Sequence, residues 1–204
     1  MSIDIYEQRC QSTRMVTDGD LLAAFEGLDG TDQQHSNGTL RHHLIGVRDL
    51  LSAWGMPSHV VAAGLFHSAY GTQSYRAEVA TLDNRAALVS LIGEPAERLV
   101  YLYCVADRSA LFRQLPDPDA PMLLDRHAGT SVPLDRETFA YLIHLLLADR
   151  LEQLPRRGEL PDDDEPRIHL TRAGTLIWHT AQRTLTSKAW AAFQADDHSR
   201  GRYG

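Results

Sequence analysis

An all-α domain is the fold class this sequence predicts, on three observations. Apolar residues recur at helical spacing through most of the chain, no segment alternates convincingly between apolar and polar, and the breaks fall at Gly and Pro. The chain has 204 residues, 43 % of them hydrophobic, which suits one domain with a real core. The expected organisation is one helical bundle over residues 1–160, with a helical extension over 161–204 packing on the same domain.

The elements follow in order. Residues 18–28 read as a short amphipathic helix with Asp18 or Asp20 as its N-cap. Residues 40–54 read as a stronger one: His43, Val47, Leu50 and Trp54 fall on one face. Gly55-Met56-Pro57 ends it, and Pro57 suits the first turn of a helix that runs to about Ser68 through VVAAGLF. Two more are predicted over 84–92 and 94–106, split by Gly93. Residues 115–133 carry four prolines and Gly129, and read as an ordered excursion over one face of the domain. Asp135 caps a long apolar helix, ETFAYLIHLLLADRLEQL, and the acidic run 161–166 reads as a solvated turn. A last helix or helix pair is expected over 168–195, with a frayed tail after Asp196. Those C-terminal helices are apolar enough either to pack within the chain or to form a homodimer interface.

Charge and composition narrow the function classes. Lys+Arg is 20 against Asp+Glu 27, a net charge of −7, which argues against a general nucleic-acid binder. A small soluble substrate, even an anionic one met by local arginines, stays open. Cys10 and Cys104 lack metal-ligand spacing and read as reduced thiols. The N-terminus lacks the apolar stretch of a signal peptide, and no apolar run nears the roughly 18 residues of a membrane span. These features predict a soluble cytoplasmic protein with no membrane partner.

The chemistry-bearing residues are found by asking which polar side chains face inward. His42 and His43 are adjacent, about 100° apart on a helix; His43 shares the apolar face, whereas His42 shares one with Gly46 and Asp49. His67 ends an apolar helix, where a histidine needs a hydrogen bond or a metal to justify burial. Asp149 lies on the face of Leu142, Leu145 and Leu146, where an unpaired carboxylate is costly. One remedy is a metal; the other is an arginine, either Arg150 or a distant one. Two histidines and a carboxylate from three helices make a two-His, one-carboxylate metal site the functional candidate, with satisfied core residues as the alternative.

The segment HLIGVRDLLSAWGMPSHVVAAGLFHS resembles the first half of an HD domain of the RelA/SpoT type. There a histidine opens one helix and a His-Asp pair closes the next, with the 24-residue gap seen here from His43 to His67. RAALVSLIGEPAERLVYLYCVADR is similar to that family's next two helices, and LLLADRLEQL to the helix bearing its last aspartate. The likeness spans residues 40–154 and implies an HD-type bundle in which His43, His67 and Asp149 match three of four metal-ligand positions. The chain departs from the pattern where Ser68 replaces the aspartate of the His-Asp pair. Tyr70-Gly71-Thr72 stands where nucleotide-hydrolysing members have a Glu-Asp pair. Both changes argue against the usual alarmone hydrolysis and against a two-metal centre.

HSNGTLRHHL and AGLFHSAYGT look closer to a smaller group of HD-like proteins of uncharacterised function. There His-Ser-x-x-x-Leu-x-x-His-Leu and Leu-Phe-His-Ser-x-Tyr-Gly-Thr recur. That likeness draws in His35 as a further metal ligand or catalytic group; the alternative is that His35, Ser36 and Asn37 cap the following helix. Tyr70 and Thr72 are then expected as catalytic residues on the pocket rim, and Ser68 and Arg108 as substrate contacts. The expected cofactor is one divalent ion, Fe, Mn or Zn. Three functions fit: a metal-dependent hydrolase, phosphohydrolase-like by resemblance; a mononuclear non-haem iron oxygenase; and a non-catalytic module that kept the scaffold.

Overall fold

The computed structural model describes residues 34–35, 38–71, 85–154 and 168–199, and the side chains of the first pair and of Gly38 lie outside that description. Over the described residues it is all-α, with two small antiparallel hairpins. The helix expected over 18–28, Cys10, Thr72 and the acidic run 161–166 lie outside the described residues. Among the described residues no helix is long and apolar enough to cross a membrane.

A two-residue ladder, β1 (Gln34–His35) with β2 (Gly38–Thr39), leads straight into α1 (Leu40–Ala53). Thr39 is the N-cap, its hydroxyl accepting from the His42 amide at 3.3 Å. Ser36 and Asn37 had been the capping candidates; the hairpin moves the helix start past them. Gly55, with φ of 75°, turns the chain, and α2 (Ser58–Phe66) follows, buried from Val60 to its end. It stops before the expected Ser68: His67 is its C-cap, and residues 67–70 form a turn closed by Gly71 with φ of 75°. Next come α3 (Arg85–Ile92) and α4 (Glu94–Val105), separated by Gly93 at φ 81° as the sequence break implied.

Two elements of this middle region escape the sequence reading. Asp107 starts a further helix, capping the short α5 (Arg108–Phe112) by accepting from Ala110 N at 2.9 Å. The proline-rich excursion contains a hairpin, β3 (Met122–Asp125) with β4 (Thr130–Pro133). Leu123 is its only buried residue and all of β4 is exposed, so no apolar alternation marked it. It is fastened by Asp107 N to Leu124 O at 2.8 Å and by the Gln114 carboxamide on the Met122 backbone.

Helix α6 (Arg136–Gln153) starts where expected: Asp135 accepts from Thr138 N at 2.7 Å. Helices α1, α2, α4 and α6 form a closed ring, each packed on its two neighbours, and their apolar faces make one continuous core. Two glycines set the spacing. A Cβ at Gly64 on α2 would fall 2.4 Å from Leu51 Cδ1 on α1, and one at Gly46 on α1 would fall 2.7 Å from Glu152 Cγ on α6. Both glycines therefore allow approaches that alanine would push apart.

Residues 168–199 hold two helices, α7 (Arg172–Trp178) and α8 (Ser187–Ser199), one 3-10 turn preceding α7 and another joining the two, and they extend the same core. Trp178 is buried, 4.9 Å from the ring of Phe112. Arg150 of α6 is 1 % exposed, donates to His169 O at 3.0 Å and pairs with Asp196 of α8 at 3.1 Å. His144, also on α6, accepts from Thr186 N at 2.9 Å just before α8. These ties seat the C-terminal helices on the bundle, one of the two roles the sequence left open for them.

Replacing Asp196 with Ala leaves the Arg150 guanidinium buried without its carboxylate. A loss of about 3 kcal/mol is expected, the low end for breaking a buried pair because Asp196 itself is part-exposed. Urea unfolding measures it; a change under about 1 kcal/mol would show that Arg150 needs little beyond the His169 carbonyl.

Candidate metal centre

Asp149 sits near the C-terminal end of α6 on the face turned into the helix ring. Its side chain is 1 % exposed, and each of the other three ring helices directs a polar group at it. From α1 comes His43, whose Nε2 lies 3.2 Å from Asp149 Oδ1. From the end of α2 comes His67, with Nε2 3.9 Å from the same oxygen and 3.3 Å from His43 Nε2. From α4 comes Tyr103, whose hydroxyl donates to Oδ2 at 2.7 Å. Arg108, at the start of α5, donates to Oδ2 at 3.1 Å and to the Tyr103 oxygen at 3.2 Å.

The outer nitrogens of both histidines are committed. His67 Nδ1 donates to Gly64 O at 2.8 Å, one of the carbonyls that the end of α2 leaves without a helical partner. His43 Nδ1 bonds the Glu152 carboxylate, which reaches across α1 through the gap at Gly46. Each ring is thereby oriented with Nε2 toward Asp149 Oδ1. A hydrogen-bonded Nδ1 behind an inward Nε2 is the arrangement found around metal-binding histidines.

One ligand atom from each of His43, His67 and Asp149 lies within 4.8 Å of the others, so this buried group could hold a metal ion. Nε2···Nε2 at 3.3 Å and Nε2···Oδ1 at 3.2 Å are close to the spacing of about 3.3 Å between neighbouring ligands on a tetrahedral ion with bonds of about 2.0–2.1 Å. Two neutral histidines and one carboxylate suit Zn, Mn or Fe(II) and leave coordination positions open.

Without an ion, protons do the balancing. Burial works against charge on His43, but hydrogen bonds to the Asp149 and Glu152 carboxylates outweigh it and raise the ring to about 9. His67 goes the other way, to about 4, because complete burial dominates the pull of Asp149. Burial also opposes charge on Asp149, yet the His43 hydrogen bond and nearby positive groups hold it well below the usual carboxylate range. Burial and the neighbouring Asp149 push the Tyr103 hydroxyl far up, so it remains a donor.

Of the other sequence candidates, only Arg108 is shown bonded to a residue of the triad. Arg108, expected as a substrate contact on the rim, is 4 % exposed and holds Asp149 instead. The distant arginine entertained for Asp149 is thus present, alongside the histidines. Tyr70 is buried and its hydroxyl donates to Glu97 Oε1 at 2.7 Å. Glu97 is itself clasped by Arg85 at 2.6 and 2.7 Å, at one wall of a surface cleft of about 520 Å³ between α3 and α4. Ser68 is buried in the turn after His67, its carbonyl accepting from Gly71 N at 2.9 Å. His35 pairs by its backbone with Gly38, and nothing further is described for it.

Tyr103, Glu152 and Gln153 were not singled out from the sequence. Gln153 donates to Asp149 Oδ1 at 2.5 Å. Glu152 and Gln153 had a legible signal, since they stand three and four residues past Asp149 on one helix face. Tyr103 had none.

Residues 25–108 match the model of a family described as a domain of unknown function (DUF6817). The match takes in His43, His67 and Arg108 and stops short of Asp149. No curated protein matches the chain, and no solved structure does.

In metal-free protein the two histidines shape opposite limbs of the pH–stability curve. The raised His43 contributes stability that is fully present below its unfolded value near 6.5 and is lost as pH rises through about 9. The lowered His67 contributes stability present above about 6.5 and lost as pH falls toward about 4. Denaturant titrations across pH should show His43→Gln flattening the alkaline limb and His67→Gln the acid limb. Unchanged limbs in both variants would contradict this assignment.

Proposed function

We propose that this chain is a metal-dependent enzyme of HD-like fold, acting as a hydrolase on a small soluble substrate at a single-ion site. The observation that carries the reading is the convergence of His43 Nε2, His67 Nε2 and Asp149 Oδ1 in the buried ring, with both Nδ1 atoms already bonded. The ordered likeness of residues 40–154 to HD domains supports it, and a phosphate ester is the substrate class that likeness suggests.

His43, His67 and Asp149 would hold the ion, which when bound supplies acidified water as a nucleophile near neutral pH. Glu152 keeps His43 in the tautomer that offers Nε2, and the Gly64 carbonyl does the same for His67. Arg108 and Tyr103 keep Asp149 ionised and fixed. Gln153 donates to the ligating oxygen from the part-exposed side of α6, where it is placed to position an incoming group.

A second reading is a mononuclear iron oxygenase. The donor set favours it: two histidines and one carboxylate are the ligands of such non-haem iron sites. The assays below separate the two.

Elemental analysis of protein purified without added metal should find about one ion per chain, and His43→Ala and Asp149→Ala should abolish retention. Phosphatase activity with Mn or Zn supports the hydrolase; bound iron with oxygen-dependent turnover supports the oxygenase. A chain that retains no ion, with variants that change nothing, leaves a non-catalytic module.

Gly46→Ala provides an independent check, because it displaces Glu152 without touching a ligand. Metal affinity should fall about 10- to 100-fold in chelator competition, the usual cost of losing a partner behind a metal-binding histidine. An unchanged affinity would show that Glu152 does not orient His43.

A further inference from the structure

We propose that Arg108 is a positioning residue that limits the centre to one metal ion, by holding Asp149 to a single ligating oxygen. The inference rests on the metal reading above and goes beyond it to the coordination mode and stoichiometry.

The two oxygens of this carboxylate have different neighbours. Oδ1 faces both Nε2 atoms, at 3.2 and 3.9 Å, and accepts from the uncharged carboxamide of the part-exposed Gln153 at 2.5 Å. Oδ2 accepts from the Tyr103 hydroxyl at 2.7 Å and from Arg108 Nη1 at 3.1 Å. The two donors are themselves linked, Arg108 Nη1 to the Tyr103 oxygen at 3.2 Å, and the guanidinium lies 5.2 Å over the Tyr103 ring. A carboxylate bridges two ions by giving one oxygen to each, and chelates one ion by giving it both. Either mode needs Oδ2, which is already held by two donors.

One of those donors carries a charge it cannot lose, since a guanidinium stays protonated in proteins. A second dication at Oδ2 would stand against that charge in a nearly dry interior, where repulsion is only weakly screened. Arg108 has no easy retreat. It is 4 % exposed, and the residue before it is pinned twice, by Asp107 N to Leu124 O at 2.8 Å and by the Asp107 cap on Ala110 N at 2.9 Å. Beside His67, Ser68 offers no carboxylate to act as an alternative bridge. The guanidinium therefore occupies the place of a second cation.

The test loads the full-length chain with Mn(II), counting ions by native mass spectrometry, and with Co(II), whose visible absorption weakens as coordination number rises. Wild type and Arg108→Lys are expected to take one Mn(II) per chain and to give the same Co(II) spectrum. Arg108→Gln, checked for folding by circular dichroism, should take a second Mn(II) or lose Co(II) absorption several-fold as Oδ2 joins the ion. An Arg108→Gln protein that folds and matches wild type in both readouts overturns the proposal. Where that variant does not fold, the wild type decides. The infrared carboxylate stretches of isotope-labelled, Mn(II)-loaded protein should be split widely, as for one ligating oxygen. Narrow splitting, or two ions in the wild type, overturns this proposal and leaves the metal site standing. A wild type that takes up neither metal overturns the site and the proposal together.

Discussion

A carboxylate at the centre of a helix bundle has to be compensated, and the arrangement around Asp149 follows from that requirement. Ionised and 1 % exposed, it has lost its hydration, a cost that only charged or strongly donating neighbours offset. His43, Tyr103, Arg108 and Gln153 all converge on it. They arrive from α1, α4, α5 and α6, so the ring of helices can close only in the register that brings all of them in. Two of the groups that would hold an ion, His43 and Asp149, are thus also among those that fix how the helices pack.

That double duty explains the chemistry of the metal-free protein. His43 carries the positive charge, a proton serving where a metal would, while His67 stays neutral because the same pocket cannot solvate two imidazolium ions. An ion held here would take the place of the proton between His43 Nε2 and Asp149 Oδ1. The two glycine contacts serve the same end: Gly64 brings α1 and α2 close, and Gly46 lets the Glu152 carboxylate reach His43.

The sequence disclosed the parts of this that are local. Helical spacing showed α1, α2, α4 and α6, and the mismatch of a polar residue on an apolar face pointed to His43, His67 and Asp149, which the fold brings together. What it did not disclose depends on contacts across distance. Arg108 meets Asp149 over 41 residues and Tyr103 meets it over 46, and neither leaves a pattern in its own helix. An arginine just past a helix end reads as a surface residue, which is why Arg108 was expected on a rim. The hairpin after α5 was missed for a related reason: its strands are held by backbone bonds and the Gln114 side chain, with little burial to imprint alternation on the sequence.

Asp149 and Arg150 are neighbours in the chain, yet they are committed to different partners: the acid to the ring's interior, the guanidinium to Asp196 and the His169 carbonyl beside it. Consecutive residues on a helix point about 100° apart, so these two commitments together fix both the rotation and the axial position of α6. A slip of one residue in one direction would place the Arg150 charge between the histidines; in the other it would place the Asp149 charge against Phe193, which Arg150 overlies at 5.8 Å. The adjacent pair acts as a frame lock. Single insertions or deletions in α6 should be far less tolerated than substitutions at its apolar positions, so length variation among relatives of this chain should avoid the stretch from Arg136 to Gln153.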